Sequence, residues 1–246
     1  MYHFFVSPTQ IGEKEIIIKG EDVNHIKNVL RMNTGEQISI SSGQDNKEYR
    51  CEITEYDTNA VLTKIMWVEE TGMELSSKIY LFQGLPKNDK MELIIQKAVE
   101  LGVYEIIPVA TRRAVVKLDA KKEEAKRKRW NSISTSAAKQ SKRTVVPEVT
   151  RVMGFKEAVS YAGKLDIKLI PYELASGMEQ TKEVINKIQK GQSIGIFIGP
   201  EGGFDESEVE AAKEAGAMPI TLGKRILRTE TAGMTVLSIL MFTLED

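Results

Sequence analysis

Two segments of the chain have the residue types and spacing of a ligand site. Ile198-Gly199-Pro200-Glu201-Gly202-Gly203-Phe204 follows the apolar run Ile194 to Ile198. Leu222-Gly223-Lys224-Arg225-Ile226-Leu227-Arg228-Thr229-Glu230-Thr231-Ala232 follows the run Met218 to Leu222. Both precede helical patterns. Glycines directly after a strand let the backbone approach a ligand or take a positive φ, and Pro200 stiffens the entry. A tight turn needs the same residues, so the first segment alone does not separate a site from a turn. It matches neither the G-x-G-x-x-G fingerprint nor the Walker pattern, which disfavours a dinucleotide or a nucleoside triphosphate. The second segment adds what a turn does not need. Leu222, Ile226 and Leu227 read as buried in a loop, where solvent favours polar side chains. An apolar slot with free backbone groups at its edge suits an adenine ring. Thr229 or Thr231 caps the helix that follows, while Arg225 and Arg228 are left without a structural reason.

The elements that must position these loops are legible in outline. Strand-like runs at Lys78 to Gln83, Tyr104 to Val109, Val145 to Val149, Ile167 to Tyr172, Ile194 to Ile198 and Met218 to Leu222 alternate with helical patterns. Such alternation predicts an α/β fold with a mostly parallel sheet covered on both faces. Asp89 to Leu101 reads as a helix burying Met91, Ile94, Ala98 and Leu101, with Asn88 as its cap and Gly102 as its stop. Asp205 with Glu208 opens another as a capping box. Ala232 to Leu244 closes the chain as an apolar helix. Before residue 70 the pattern is mostly β: Phe4 to Val6, Glu15 to Ile18, Gln37 to Ile40, Tyr49 to Thr54 and Ala60 to Trp67, with turn formers between them. Only Glu21 to Leu30 looks helical there. A small barrel or sandwich is expected over 1–72, joined by Glu69-Glu70-Thr71-Gly72 to a second domain over 73–246.

Composition narrows the class. At 246 residues, 41% hydrophobic and 28% charged, the chain has the make-up of an ordinary soluble protein. It shows no apolar run near the roughly 20 residues of a membrane span and no signal-peptide pattern, so a cytoplasmic protein is expected. With Cys51 as its one cysteine and His3 and His25 as its two histidines, neither a disulfide framework nor a metal centre is expected. The net charge of −1 is unevenly spread: residues 1–72 carry 7 Lys and Arg against 12 Asp and Glu. Arg112 to Arg143 carries 12 basic residues against 3 acidic ones, a solvated helix face or a phosphate-contacting surface.

Over essentially its whole length the chain resembles the RsmE-type 16S ribosomal RNA uracil-N3 methyltransferases of the knotted SPOUT superfamily. The resemblance is carried by the two loops above, by Gly84-Leu85-Pro86-Lys87 with Asp89-Lys90-Met91-Glu92, by Gln96-Lys97 to Glu100-Leu101-Gly102, and by Tyr2-His3-Phe4-Phe5-Val6. It implies an N-terminal PUA-like β-barrel that binds RNA and a C-terminal α/β domain with a deep trefoil knot. It implies S-adenosylmethionine as cofactor, small-subunit ribosomal RNA as substrate and a homodimer. Carried onto this sequence, the cofactor loops are Gly199, Gly202 and Gly203, then Leu222, Gly223, Ile226 and Leu227. A third loop adds Pro171, Tyr172 and Glu173, although Tyr172 would serve a core equally well. His3, Lys27, Arg31, Lys87, Arg112 and Arg113 are the expected RNA contacts, with Arg50 and Lys90 as further cations. His3 stands where many relatives have arginine, so a phosphate contact there is weaker or pH-dependent.

Methylating uracil N3 requires loss of its proton and stabilisation of charge spreading onto O2 and O4. Orientation toward an activated methyl group is the main task, and an arginine fork or backbone N–H groups meet the charge. Arg228 is the expected electrostatic group and Glu201 the nearby carboxylate for a base. No metal is needed. Transfer to a ribose 2′-hydroxyl or to tRNA, and a non-catalytic RNA-binding role, remain the competing readings.

Overall fold

The computed structural model describes residues 1–70, 72–172 and 177–245. Two compact units emerge, and they do not divide at one point. The first is Met1–Glu74 with Ala138–Val146, the second Leu75–Ala137 with Pro147–Asp246. A single cut at 72/73 therefore leaves Ala138–Val146 on the wrong side.

In the first unit, β1 (His3–Phe5), β2 (Glu15–Lys19), α1 (Glu21–Asn24), β3 (Gln37–Ser41), β4 (Lys47–Tyr56) and β5 (Ala60–Glu70) follow in order. The strands form one sheet in the order β1-β3-β4-β5-β2, with β1 parallel to β3 and the other pairs antiparallel. Edge strands β1 and β2 share no ladder, so the expected barrel is a curled sheet not closed by hydrogen bonds. Strand periodicity puts Ile16 and Ile18 inside while Glu15 and Lys19 stay out. Phe4, Ile38, Ile40, Cys51, Ile53 and Val61 complete the core with Val23 and Ile26. The latter two come from the expected helix, which is one α turn continued by a wider π turn, His25–Val29. Segment 138–146 belongs here by specific bonds. The nearly buried Arg143 reaches Glu74 through Nε at 3.1 Å, and Glu74 Oε1 accepts the backbone N–H groups of Thr144 and Val145 at 3.0 and 3.1 Å. Lys139 pairs with Asp22 at 3.0 Å.

The second unit contains β6 (Lys78–Gly84), α2 (Lys90–Glu100), β7 (Glu105–Ala110), α3 (Ala120–Gln140), β8 (Glu148–Val149), β9 (Met153–Gly154) and α4 (Phe155–Ala162). It continues with β10 (Ile167–Pro171), α5 (Met178–Asn186), β11 (Ser193–Ile198), α6 (Glu206–Glu214), β12 (Met218–Ile220) and α7 (Thr229–Leu244). From Ala138 onward, α3 counts with the first unit. The sheet runs β12-β10-β11-β6-β7-β8, with β9 also on β7, and every pair is parallel. Both faces are covered, so Ile79 to Phe82 and Ile194 to Ile198 are buried without alternation. The rings of Phe82 and Phe197 stack at 4.5 Å across neighbouring strands.

The α6 capping box forms as expected: Asp205 accepts Ser207 N–H at 3.2 Å and Glu208 accepts Asp205 N–H at 3.0 Å. Three local expectations need correction. Asn88 does not cap α2; it sits in the left-handed region at φ 56°, with Asp89 at the N-cap and no side-chain cap bond. The strand expected over Val145 to Val149 shrinks to β8. Val146 N–H instead bonds the Gly43 carbonyl at 2.9 Å within the first unit. Neither Thr229 nor Thr231 caps α7, whose N-cap is Arg228 without a side-chain bond.

Candidate active site

Because all seven strands are parallel, their carboxyl ends lie at one edge of the sheet. The loops after β6, β7, β10, β11 and β12 open there, where ligands bind in open α/β sheets. Those after β11 and β12 are the two glycine-bearing segments of the sequence. Gly199 has no room for a side chain: a Cβ would meet the carbonyl carbon of Gly203 at 3.0 Å. Gly203 and Gly223 have φ of 67° and 107°, values that L side chains rarely adopt. Pro200 lies directly against Gly84 at the end of β6. The loop after β10 joins its neighbour through Tyr172 N–H, which donates to the Ile220 carbonyl at 3.0 Å. The Tyr172 side chain is partly buried against the core cluster of Phe82, Phe197 and Phe204. Glu173 lies outside the described residues.

A buried amide ties three of these loops together. Gln83 is wholly enclosed. Its Nε2 donates to the Gly84 carbonyl and to Thr229 Oγ1, both at 2.9 Å, and the Thr229 hydroxyl in turn donates to the Gly199 carbonyl at 2.6 Å. This bond is why Thr229 does not cap α7. Losing the hydroxyl strands an enclosed donor and an acceptor, which costs about 1–3 kcal/mol. Thr229→Val is therefore expected to lower the unfolding free energy by about that much in chemical denaturation, while Thr229→Ser loses far less. Equal stability of the two variants would sink this role.

The charged residues divide into engaged and free. Lys90 Nζ lies 3.1 Å from Glu201 and 3.4 Å from Glu230, so the cation expected to meet RNA is held by two carboxylates. Glu201 also accepts the Lys87 backbone N–H at 3.2 Å. Burial works to raise the Glu201 carboxyl, but backbone N–H groups and the Lys90 ammonium outweigh it and hold the group below the usual carboxylate range. Arg112 reaches Ser207 Oγ at 2.8 Å and Asp205 at 3.3 Å, and Arg113 donates to the Gly202 carbonyl at 3.2 Å. By contrast, Lys224, Arg225 and Arg228 are exposed, and their side chains form no hydrogen bond or ion pair among the described residues. Ile226 is 88% exposed, not buried as its neighbours suggested; Leu222 and Leu227 are half-buried. The backbone N–H groups of residues 224–227 likewise have no protein acceptor among the described residues.

The first unit places His3 half-buried beside Phe5, ring centroids 5.0 Å apart. Burial lowers its pKa, leaving a neutral imidazole at pH 7 whose enclosed Nε2 has no partner among the described residues. Arg50 is spent on Glu48 and Glu69, at 3.1 and 2.9 Å. Lys27 and Arg31 are exposed, Lys27 lying 5.9 Å from the Tyr56 ring centroid. The link between Gln83 and Thr229 escaped sequence reasoning. The available signal was a lone amide closing the apolar run Ile79 to Phe82 just before a glycine. Among the described residues, no three His, Cys, Asp or Glu side chains group as a metal site.

A fully parallel sheet with glycine loops and free cations at its carboxyl edge, in a chain that also carries a separate curled β unit, defines an α/β enzyme of nucleotide or nucleic-acid chemistry. Residues 73–241 match the family model of an RNA methyltransferase domain, and residues 18–66 that of an RNA methyltransferase PUA domain. The chain belongs to the ribosomal RNA small subunit methyltransferase E family of RNA methyltransferases. The Bacillus subtilis member of that name is 41% identical, covering 100% of this chain and 98% of its own. The one from Mesomycoplasma hyopneumoniae is 36% identical over 97% and 98%. A crystal structure of the Neisseria gonorrhoeae enzyme bound to S-adenosyl methionine has a TM-score of 0.85 at 31% identity, covering 98% of this chain and 97% of that one.

Proposed function

We propose that the protein methylates N3 of a specific uridine in the decoding region of 16S ribosomal RNA, using S-adenosylmethionine. The observation that carries this reading is the joined pair of loops after β11 and β12, in a chain of this family. The cradle fits the cofactor. Gly199, Gly202 and Gly203 bring backbone close, and Leu222, Gly223, Ile226 and Leu227 offer apolar contact beside unpaired N–H groups suited to an adenine edge, with Pro171 and Tyr172 closing the side. S-Adenosylmethionine, when bound, supplies an activated methyl group. The protein has to orient the base and meet the charge left by its N3 proton. Arg228 is free to do the second.

Glu201 is the base on this reading. A carboxyl held below its usual range is ionised throughout roughly pH 6–8, so it contributes no inflection to activity there. Glu201→Gln is expected to slow methyl transfer at every pH in that window. A normal rate with an unchanged pH profile would remove Glu201 from the reaction and leave it holding Lys90.

Two finer features go with the reading. The C-terminal segment forms a deep trefoil knot on this reading, which is supported by β12 lying at one edge of the sheet while α7 packs on β11 and α2. The enzyme is a homodimer acting in the cytoplasm. Ile239 and Phe242 on α7 are 39% and 85% exposed and Leu93 on α2 is 43% exposed, an apolar face suited to a second copy. His3, Lys27, Arg31, Lys87, Arg112 and Arg113 serve RNA binding, His3 as a neutral group.

The test is incubation with labelled S-adenosylmethionine and small subunits from cells lacking the gene, followed by mass spectrometry of the modified nucleoside. 3-Methyluridine at one site is expected. Label on a ribose or on another base would overturn the assigned position.

A further inference from the structure

We infer that the cavity beyond the end of β7 is a nucleobase subsite, receiving the target base as it is turned out of the RNA strand for methyl transfer. The inference rests on the methyltransferase reading above. The cavity measures about 400 Å³, within the range of small-ligand sites. Its long wall is the segment 111–118, which has no regular structure but alternates: Ala114, Val116 and Leu118 are half-buried, while Arg113, Val115 and Lys117 are exposed. Leu85, from the end of β6, supplies apolar surface opposite.

Four observations point to a base rather than to a water-filled crevice. The backbone N–H and carbonyl groups of residues 115–118 have no partner among the described residues, leaving donors and acceptors free along an apolar wall. The Thr111 hydroxyl, on a residue 8% exposed that lines the cavity, is likewise enclosed without a partner. The cations Arg112 and Lys117 stand at the rim, where a phosphate backbone would pass. The one carboxylate there, Glu123, is occupied by the Val152 N–H at 3.0 Å.

Position supplies the link to function. Arg113 donates to the Gly202 carbonyl, and Leu85 follows the glycine that abuts Pro200, so the cavity wall is fastened on both sides to the glycine loop. Enzymes that modify a base within RNA take it out of the stack and hold it by its edge in a pocket with apolar walls, and this cavity offers both features.

The experiment combines a cross-link with two variants. RNA carrying 4-thiouridine at the target position is irradiated with the full-length wild-type protein, and the adduct is mapped by mass spectrometry. An adduct within residues 111–118 or at Leu85 is expected; adducts confined to other segments would overturn the subsite. Ala114→Leu, which fills the cavity, is expected to lower kcat/KM for RNA at least about thirtyfold, and Thr111→Val about tenfold. Affinity for S-adenosylhomocysteine should stay within about twofold and melting temperatures should be preserved. Wild-type turnover by both well-folded variants would also overturn it. If the wild type methylates no RNA while the adduct still maps to 111–118, the base subsite stands and the methyl-transfer reading falls.

Discussion

Gly84→Ala is expected to disable the enzyme while leaving its amino-acid chemistry untouched. A Cβ at this position would lie 2.6 Å from Pro200 Cδ, 2.7 Å from Pro200 N and 3.1 Å from the Gly199 carbonyl carbon. Two of these atoms are backbone and the third belongs to a closed ring, so no side chain can swing away. Either β6 or the glycine loop must move. Forcing one extra carbon into a packed interior costs about 1–3 kcal/mol, which for a chain of this length is about 2–4 °C of melting temperature per kcal/mol. The larger consequence is functional. The strand end also holds Gln83, whose amide fixes Thr229 and through it the Gly199 carbonyl. A shift there displaces both glycine-bearing loops together, and on the proposed reading affinity for S-adenosylhomocysteine should fall at least tenfold, about 1.4 kcal/mol. Gly202→Ala is the comparison, because its added carbon meets Arg113 Cβ at 3.3 Å and the Arg113 carbonyl oxygen at 3.5 Å, which asks for a shift of only a few tenths of an ångström. Calorimetric titration of both variants decides the matter; wild-type affinity and melting in Gly84→Ala would refute the tight contact.

Removing Arg228 should strike turnover and spare cofactor binding. Its backbone is fixed as the N-cap of α7, with its carbonyl accepting Ala232 N–H at 2.8 Å, while its side chain is exposed and has no partner among the described residues. A guanidinium beside a helix N-terminus adds to the positive end of the helix dipole. It is well suited to meet negative charge spreading over uracil oxygens as N3 loses its proton. Losing one such group typically costs about 10²–10³ in kcat. Arg228→Ala is expected to show that loss with S-adenosylhomocysteine affinity within about threefold, and Arg228→Lys to recover little, because an ammonium lacks the planar fork. Arg225→Ala, the neighbour equally free of partners, should weaken RNA binding more than turnover. An unchanged kcat in Arg228→Ala would move the electrostatic role to another group.

The parallel sheet was legible because a strand buried on both faces cannot hide its composition, as Ile79 to Phe82 and Ile194 to Ile198 show. The glycine loops and the Asp205–Glu208 box were legible because their geometry restricts the residue type. What escaped depends on partners distant in sequence. Thr229 has the type of a cap, but a carbonyl thirty residues upstream competes for its hydroxyl. Lys90 reads as a surface cation until Glu201 and Glu230 are brought to it. Ile226 looks like a core residue by its side chain alone, and only the fold leaves it exposed. Gln83 carries no motif, and its role appears only once β6, the β11 loop and α7 meet.

The first unit also sets a timetable for biosynthesis. Met1–Glu74 leaves the ribosome well before Ala138–Val146, and Glu74 waits for Arg143, Thr144 and Val145 until the intervening residues have been made. At about 5–20 residues per second that delay lasts several seconds, during which the N-terminal segment is present but unfinished. The N-terminal end of this enzyme is thus first to be synthesised without being first to be completed, and its final closure requires that two of the seven strands of the second unit's sheet, β6 and β7, have already been translated.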